Sequence, residues 1–331
     1  MLRGFRPRNV AATVAVVAIL GACSGSSTAA SSASTPATVP AAPATQATTA
    51  VPSAVPSAAS VASPASSASV VTCSEIQAKY PSLVGKAFIV GTDPSSPGYE
   101  TVDPSSTANP GHIVGFDADL MHDLSDCIGF HYSYLTMTFG TLIPALQAGR
   151  VQLVMSTMYA TPVRAQVVNF VAYQGVSDAT LIAKGNPKNL NSLADLCGVT
   201  DAQETGTAEL LVAQTQSSKC TSEGKAPIRI LTFGTQDQVF TAIEEGHADI
   251  TMTTPSVVDQ IVQQNASKVQ RGFNTELPYK VAIGVQKSDN TMLNALYDGI
   301  VMLQNNGTEL SLINKWNMDP SSLVPAEIIT H

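Results

Sequence analysis

The sequence predicts an α/β fold with two similar lobes, and three observations support this prediction. Helix and strand patterns alternate between residues 115 and 173. A helix, a strand and then Thr-Pro follow one another there, and the same order returns between residues 233 and 255. Roughly 260 residues follow the N-terminal segments, which is enough chain for two lobes with separate cores.

The first series of elements begins after residue 115. Asp117 can cap a helix whose apolar residues recur at helical spacing and which Gly129 ends. Thr141 can cap a second helix, and Gly149 ends it. Residues 151–155 are apolar and predict a short strand.

A third helix start follows that strand. Thr161 followed by Pro162 is typical of an N-cap and the first helical position, so Arg164 falls in the first turn. Free N–H groups, the positive end of the helix dipole and a guanidinium would then point to one place. This combination predicts a site for a small carboxylate.

The second half of the chain repeats this order. Residues 233–235 open a helix that ends at Gly246, a strand runs to Met252, and Thr254 is followed by Pro255. Open α/β sheets bind ligands outside the carboxyl ends of their strands, and two facing lobes enclose a cleft. We therefore expect a small-molecule site between the lobes.

The N-terminal residues predict an export signal. Residues 1–22 combine three arginines with an apolar run that is too short for a mature membrane span. Leu20 to Cys23 resembles a bacterial lipobox, which implies cleavage before Cys23 and a lipid on its thiol. The alternative is an ordinary signal peptide with an incidental cysteine. Residues 23–72 contain no charged residue and are rich in Ala, Ser, Thr and Pro, so they predict an extended tether.

Composition limits the possible partners. The net charge is −8 and no basic patch is present, which argues against nucleic acid. The cysteine spacings do not match a zinc site and no histidine adjoins them, so no metal and no other cofactor is expected. Beyond the first residues, no apolar run approaches membrane-spanning length.

A family resemblance rests on an ordered series of motifs. The runs GFDADL, LIPALQAGR, MSTMYATPVR and NFVAY, then ETGTAELL, EEGHADITM, YKVAIGVQK and LYDGIVMLQNNGTELSLINKWNM, resemble the family-three extracellular solute-binding proteins. These are the polar amino-acid binders of ABC importers, and the match covers roughly residues 85–318. The resemblance implies a two-lobed periplasmic-binding-protein fold of type II. Lobe 1 would take residues 73–178 and 289–331, lobe 2 would take 179–288, and the hinge crossings would lie near Val176–Thr180 and Lys287–Asn290.

Five cysteines divide into one lipidation candidate and four others. If Cys23 takes the lipid, an even number remains in an exported chain. We predict the pairs Cys73–Cys127 and Cys197–Cys220, because each pair falls within one predicted lobe. In the chain-entropy description each such disulfide is worth about 3–4 kcal/mol.

The resemblance also implies ligand-binding residues. Arg164 matches the carboxylate-binding arginine of the family, and its planar fork suits a bidentate contact; pairing with a surface acid is the alternative. The other matched positions are the loop residues Ser156, Thr157 and Tyr159, then Thr207 at a helix start and Phe139 as an apolar contact. Tyr159 is bulkier than the usual Ser or Thr and would narrow the pocket. Thr207 as a plain helix cap and Phe139 as a core residue are the alternatives.

Two positions depart from the family pattern. Amino-acid binders place an aspartate for the ligand ammonium where this chain has Thr254. Burying an ammonium without a counter-ion is costly, so either another acid serves or the ligand has no amine. The candidate acids are Asp93, Asp201, Glu204 and Asp237. Ser96 stands where relatives often have an aromatic residue, which opens the pocket to a larger or less apolar ligand.

These observations predict an extracytoplasmic lipoprotein that captures a small carboxylate, an amino acid or a derivative, for an ABC permease. We expect a monomer that is held at the cell membrane by its N-terminal lipid and has no catalytic residues. A solute sensor without transport is one alternative. A dehydratase-like enzyme on the same fold is another, and a buried Glu204 in the cleft would favour it because such chemistry needs a general acid.

Overall fold

The computed structural model describes residues 71–107, 109, 111–175 and 177–331. The predicted signal peptide at residues 1–22, the lipidation residue Cys23 and nearly all of the predicted tether at 23–72 lie outside the described residues. In the part of the chain that is described, no helix is both long enough and apolar enough to cross a membrane.

Helices and strands alternate along most of the described chain. The helices are α1 Cys73–Lys79, α2 Phe116–Ile128, α3 Leu142–Gln147, α4 Pro162–Ala165, α5 Ala208–Ser222, α6 Gln236–Glu244, α7 Pro255–Gln264, α8 Asn290–Asn305 and α9 Thr308–Lys315. The strands are β1 Ala87–Thr92, β2 Ser95–Ser96, β3 Glu100–Val102, β4 Ile113–Val114, β5 His131–Thr136, β6 Leu153–Val154, β7 Val168–Gln174, β8 Asp178–Ala183, β9 Thr200–Glu204, β10 Arg229–Phe233, β11 Ile250–Thr253, β12 Val269–Thr275, β13 Val281–Gln286 and β14 Leu323–Ile329.

Two mixed sheets define the two lobes. The sheet of lobe 1 has the strand order β14-β7-β13-β6-β1-β5, with β1 parallel to β5 and β6, and with β7, β13 and β14 antiparallel to their neighbours. The sheet of lobe 2 has the order β10-β9-β11-β8-β12, in which β9, β10 and β11 are parallel. The predicted α/β fold with two lobes is therefore confirmed.

The chain passes between the sheets twice. The first crossing lies after β7 ends at Gln174 and before β8 begins at Asp178, near the predicted hinge. The second crossing was predicted at 287–290, and this is wrong. Strand β13 pairs with β7 over six residue pairs in the sheet of lobe 1, so the chain has already returned at Val281. The second crossing therefore spans residues 276–280, between β12 and β13.

The apolar cores of the lobes are continuous rather than separate. One buried cluster includes Ala179 and Leu181 of β8 together with Val281 and Ile283 of β13, strands that follow the two crossings and belong to different sheets. The two lobes are in contact at these crossings, and burial of apolar side chains continues from one into the other.

Both predicted disulfides are present. Cys73 at the start of α1 is joined to Cys127 in α2, with 4.7 Å between their Cα atoms. Cys197 is joined to Cys220 in α5, with 5.5 Å between Cα atoms. Each disulfide lies within one lobe and fastens a helix there.

The start of α2 differs from the prediction. Gly115 is the N-cap with φ of 138°, and Asp117 lies in the first turn as a buried residue. A Cβ at Gly115 would lie 2.0 Å from the Tyr99 carbonyl oxygen, so only glycine fits there. Asp117 is thereby freed from capping and turned inward.

Candidate functional site

A small cavity lies where the two lobes meet. Its volume is about 30 Å³, and residues of both lobes line it: Ser96, Phe139, Ser156, Thr157, Tyr159, Glu204, Thr207, Ala208, Glu209, Gln236, Thr253 and Thr254. The elements that reach it are the loop after β6, the ends of β9 and β11 and the starts of α5 and α6. These are the carboxyl ends of strands and the helix starts that follow them, the usual ligand edge of an α/β sheet.

Seven of the nine predicted site residues line this cavity. They are Ser96, Phe139, Ser156, Thr157, Tyr159, Thr207 and Thr254. Arg164 and Asp93 do not line it. Arg164 instead borders an adjacent pocket of about 310 Å³, which also includes Phe139 and Gly206.

The loop after β6 is held by two buried carboxyl groups. Ser156 Oγ donates to Glu100 Oε1 at 3.0 Å, and Thr157 Oγ1 donates to Glu100 Oε2 at 2.8 Å. The Thr157 N–H donates to Asp117 Oδ2 at 2.9 Å, and Thr157 adopts φ of 46°. The predicted hydroxyl donors of this loop are therefore engaged within lobe 1, because they donate to the buried carboxyl group of Glu100.

Glu100 and Asp117 were not predicted as site residues. Burial and the neighbouring Asp117 raise the pKa of Glu100 well above its ordinary value. Burial also raises the pKa of Asp117, to about 6, although the Tyr173 hydroxyl and the Thr157 N–H donate to it and oppose the rise. We assign the proton of this pair to Glu100. A signal was present in the sequence, because Asp117 precedes the apolar positions of an amphipathic helix, but it was interpreted as a cap.

Tyr159 connects the two lobes. Its hydroxyl donates to Asp178 Oδ1 at 2.6 Å, and Asp178 is the first residue of β8. Both side chains are buried. The hydroxyl is thus used at the first crossing, and Tyr159 is also one of the residues that line the cavity.

Arg164 also reaches the other lobe. Thr161 caps α4 by accepting from the Arg164 N–H, as predicted, and this places the guanidinium at the lobe boundary. Its Nη1 donates to the Tyr159 carbonyl at 2.7 Å and its Nη2 donates to the Gly206 carbonyl at 2.8 Å. Its Cζ lies 5.3 Å from the centroid of the Phe139 ring. Burial lowers the pKa of Arg164, and Glu209 opposes that shift.

The two threonines at helix starts of lobe 2 differ in their bonding. The Thr207 hydroxyl donates to the Glu204 carbonyl at 2.9 Å and accepts from the Leu210 N–H at 3.2 Å, so it caps α5. Thr254 is the N-cap residue of α7, but its side chain makes no capping bond. Thr254 Oγ1 is buried and has no hydrogen-bond partner among the described residues. Thr254 therefore presents a hydroxyl at the cavity that no described protein group engages.

The four candidate acids lie in four different environments. Asp201 lies within β9 and accepts from the Gln203 amide, away from the cavity. Asp237 is exposed in the first turn of α6. Asp93 is buried in lobe 1, where Phe139 N–H and Ser95 Oγ each donate to it at 2.7 Å. Glu204, at the end of β9, is the only one of the four that lines the cavity.

Glu204 and Glu209 are the acids of the cavity wall. Burial raises the pKa of Glu204 to about 9, and Asp93 and Glu209 contribute to the rise. Burial also raises the pKa of Glu209, although its own N–H, Arg164 and the Ala208 N–H oppose the shift. Within the described residues, no group of three or more His, Cys, Asp or Glu side chains is arranged to hold a metal ion.

Two α/β lobes, two crossings and an enclosed polar space between the lobes define a two-lobed binding protein of the type II periplasmic class. The comparison with known families is more specific. Residues 88–319 match the bacterial extracellular solute-binding proteins, family 3, and the chain belongs to that family.

Individual relatives are more distant. The chain is 29% identical over 180 residues to the arginine-binding protein ArgT of Corynebacterium glutamicum, an alignment that covers 53% of this chain and 57% of the relative. It is 27% identical over 178 residues to a probable ABC transporter arginine-binding protein, ArtJ, of Chlamydia trachomatis, covering 53% of this chain and 63% of the relative. The alignments thus span less than two thirds of these two relatives.

A solved structure is similar across nearly its whole length. An ancestral arginine-binding protein bound to arginine has a TM-score of 0.63 and 25% sequence identity, and the match covers 70% of this chain and 97% of that one. The similarity is consistent with the two-lobed architecture described above.

Proposed function

We propose that this chain is an extracytoplasmic binding protein that captures a small amino-acid-like carboxylate and delivers it to an ABC importer. The observation that supports this most directly is the cavity at the lobe junction, whose wall comes from both lobes and contains hydroxyl and carboxyl groups. Ligand enclosed there contacts both lobes at once, so it stabilises the closed arrangement through contacts that only this arrangement provides.

Ligand access requires the lobes to separate. A cavity of about 30 Å³ has room for a water molecule but not for an amino acid. The two crossings, one after Gln174 and one at residues 276–280, are the positions at which rotation of the lobes would occur. Capture then consists of ligand binding to one lobe, followed by closure of the other.

Arg164 is the proposed carboxylate receptor. Its contact with the Gly206 carbonyl joins the lobes, so opening releases that Nη2 donor. A guanidinium has five N–H donors, and two of them are used in the arrangement described. A ligand carboxylate would replace the Gly206 carbonyl, since hydrogen bonds between two charged groups are the stronger ones. Thr254 Oγ1, which is buried and unpaired among the described residues, would supply a further polar contact.

The names of the relatives suggest which amino acids to test first. ArgT and the ancestral protein are named for arginine. The wall of the cavity in this chain is acidic, with Glu204 and Glu209, which favours a ligand with a positive charge in addition to its carboxylate.

A thermal-shift panel tests the proposed function. The purified full chain is heated with L-arginine, L-lysine, L-ornithine, L-histidine, L-glutamine, L-citrulline and small organic acids. A ligand present at 100 times its dissociation constant stabilises the folded state by about 2.7 kcal/mol, which corresponds to a rise in Tm of roughly 5–10 °C for a chain of this size. The proposal fails if no carboxylate of the panel raises the Tm.

Catalysis is the second candidate, and one observation favours it. Glu204 is buried at the cavity and its pKa is raised to about 9. At neutral pH it is therefore protonated and could act as a general acid. A turnover assay with arogenate and prephenate tests this possibility. Product formation that Glu204→Gln abolishes would establish an enzyme. Binding without turnover would exclude catalysis on these substrates and support the function of a binding protein.

The cellular setting belongs to the same proposal. We place the chain outside the cytoplasm, anchored through lipid on Cys23, as a monomer that docks on an ABC permease. A sensor would bind the same solute without feeding transport. Uptake of radiolabelled ligand by cells with and without the gene separates these roles. Deletion of the gene should reduce uptake if the protein feeds an importer and should leave uptake unchanged if it is a sensor.

A further inference from the structure

Glu204 is an unusual residue for the wall of this cavity. The residue is 4% exposed, and its Oε1 has no hydrogen-bond partner among the described residues. Leaving a buried polar atom unpaired costs free energy, and leaving a buried carboxylate unpaired costs considerably more. The side chain borders the cavity at the lobe junction, so a ligand held there can reach it.

The groups that face Glu204 are mostly acidic. Asp93 approaches from lobe 1 within hydrogen-bonding reach of the Glu204 carboxyl, and the Phe139 N–H that donates to Asp93 also lies next to Glu204. Glu209 of α5 lines the same cavity, and Asp237 of α6 lies near Asp93. The Arg164 guanidinium acts on Glu209 but does not line the cavity. No cation among the described residues that line the cavity balances these acids.

We propose that Glu204 is the residue that selects a ligand with a positively charged side chain, in addition to the α-ammonium of an amino acid, and that it gives up its proton when that side chain binds. The inference rests on the proposed function and names the charge of the ligand that this site prefers. No covalent bond changes: the Glu204 carboxyl releases one proton to the solvent, and the carboxylate left behind pairs with the ligand cation. The unpaired Oε1 thereby gains the partner that the protein does not supply.

The protonation of Glu204 supports this exchange. Burial, together with Asp93 and Glu209, raises the pKa of Glu204 from 4.5 to about 9, so the carboxyl is neutral at pH 7 before ligand binds. A cation in contact with the side chain favours the ionised form and lowers this pKa. At a pH between the lowered pKa of Glu204 in the complex and its pKa in the free protein, ligand binding releases a proton. The affinity for a cationic ligand therefore increases with pH up to about 9.

Two isosteric amino acids provide the test. L-arginine and L-citrulline have nearly the same shape, but citrulline has a neutral ureido group in place of the guanidinium. Calorimetric titration of the full chain near pH 7, in phosphate and in Tris, counts the protons released because the two buffers differ in ionisation enthalpy. We expect arginine to bind at least about tenfold more tightly than citrulline and to release close to one proton. Citrulline should release none.

Variants assign the effect to Glu204. Glu204→Gln should abolish the proton release and reduce the preference for arginine over citrulline by about tenfold, while citrulline still binds. Glu309→Gln is the matched control, because Glu309 is also buried, has two unpaired oxygens and has a pKa raised to about 8, but does not line the cavity. That variant should bind like the parent and release the same number of protons.

The outcomes separate this inference from the proposed function. If arginine and citrulline bind equally, or if Glu204→Gln leaves both the preference and the proton count unchanged, the assignment of Glu204 is wrong and the binding function stands. If only neutral members of the thermal-shift panel bind, the assignment is also wrong. If no carboxylate of the panel binds, the proposed function itself is wrong.

Discussion

Arg164 of lobe 1 donates through Nη2 to the carbonyl oxygen of Gly206 in lobe 2, at 2.8 Å. The same guanidinium donates to the Tyr159 carbonyl and lies over the Phe139 ring, so three elements meet at one side chain. The predicted carboxylate receptor is therefore also a contact between the lobes. Two roles for one residue are compatible if opening of the lobes exchanges the Gly206 carbonyl for the ligand carboxylate.

Substitution of Arg164 tests that exchange. Arg164→Ala should reduce ligand affinity by about 100-fold, because it removes a charge-assisted contact worth a few kcal/mol. Arg164→Lys should recover only part of the loss, since a point charge cannot reproduce the planar fork. Calorimetric titration with the ligand found by the thermal-shift panel measures both.

Arg150→Ala is the matched control for this prediction. Arg150 is an exposed arginine of the same lobe and should be replaceable without effect on binding. If Arg164→Ala binds as tightly as the parent while Arg150→Ala also does, the carboxylate assignment must be abandoned.

Gly206 offers a test of lobe closure. It has φ of +89°, and a Cβ at this position would lie 2.8 Å from the Gly140 Cα of the other lobe. We expect Gly206→Ala to hold the lobes apart and to weaken ligand binding by at least about tenfold. Small-angle scattering should show that ligand no longer reduces the radius of gyration.

Gly246→Ala isolates the backbone effect of that substitution. Gly246 has φ of +73°, but a Cβ there meets nothing within 4 Å. Both variants should therefore lose about 1–2 kcal/mol of stability from the left-handed backbone, and only Gly206→Ala should lose affinity. Equal affinities in the two variants would argue that the Gly140–Gly206 approach does not control closure.

The buried carboxyl groups predict an unusual dependence of stability on pH. The pKa of Glu204 is raised from 4.5 to about 9 in the folded chain, so between these values the folded state holds a proton that the unfolded state has lost. The free energy of unfolding must then fall as pH rises through this range, by at most about 1.4 kcal/mol per pH unit for one proton. Glu309, with a pKa of about 8, acts in the same direction.

Urea unfolding at several pH values between 5 and 9 measures this slope. Glu204→Gln and Glu309→Gln should each flatten it, because an amide has no proton to lose. Leu310, the exposed neighbour of Glu309, provides a neutral control in Leu310→Ala. A parent stability that rises with pH across this range would contradict the protonation that we assign to both residues.

Membrane fractionation tests the proposed lipid anchor on Cys23. Cys23→Ala should move the chain from the membrane to the soluble fraction, because each acyl CH₂ in the bilayer contributes about 0.8 kcal/mol of binding. Ser24→Ala changes the neighbouring residue and should leave the chain in the membrane. Retention of Cys23→Ala at the membrane would indicate an uncleaved signal segment or another anchor.

Sequence patterns were reliable for structural features that involve residues close together in the chain. The Thr161 side chain caps α4 by accepting from the Arg164 N–H at 3.3 Å, three residues away, so the Thr-Pro pattern was sufficient to predict it. Asp117 had the same kind of signal and was wrongly predicted to cap α2. Its carboxylate instead accepts from Thr157 and Tyr173, forty and fifty-six residues away, and no local pattern reports such contacts.

The position of the second crossing was wrongly predicted for a related reason. Residues 281–286 form a short apolar strand that either sheet could accept by composition alone. Pairing of β13 with β7 and β6 decides its lobe, and both partners lie more than a hundred positions earlier in the chain. Strand periodicity predicts that a segment is extended, but it contains no information about the neighbour to which the segment bonds.

The sequence alone determined the α/β class and the two-lobed plan, which follow from hydrophobic period and helix-start chemistry. The cysteine pairs followed from assigning each pair to one predicted lobe, and most of the residues that line the cavity followed from the resemblance of ordered motifs to a known family. Only the tertiary structure decided that Arg164 bonds to Gly206 across the lobes, that Glu100 engages the hydroxyls of Ser156 and Thr157, and that the Oε1 atom of Glu204 is buried without a partner among the described residues. Burial and the charges that face a group depend on segments far apart in the chain, and these determine which polar atoms remain available to a ligand.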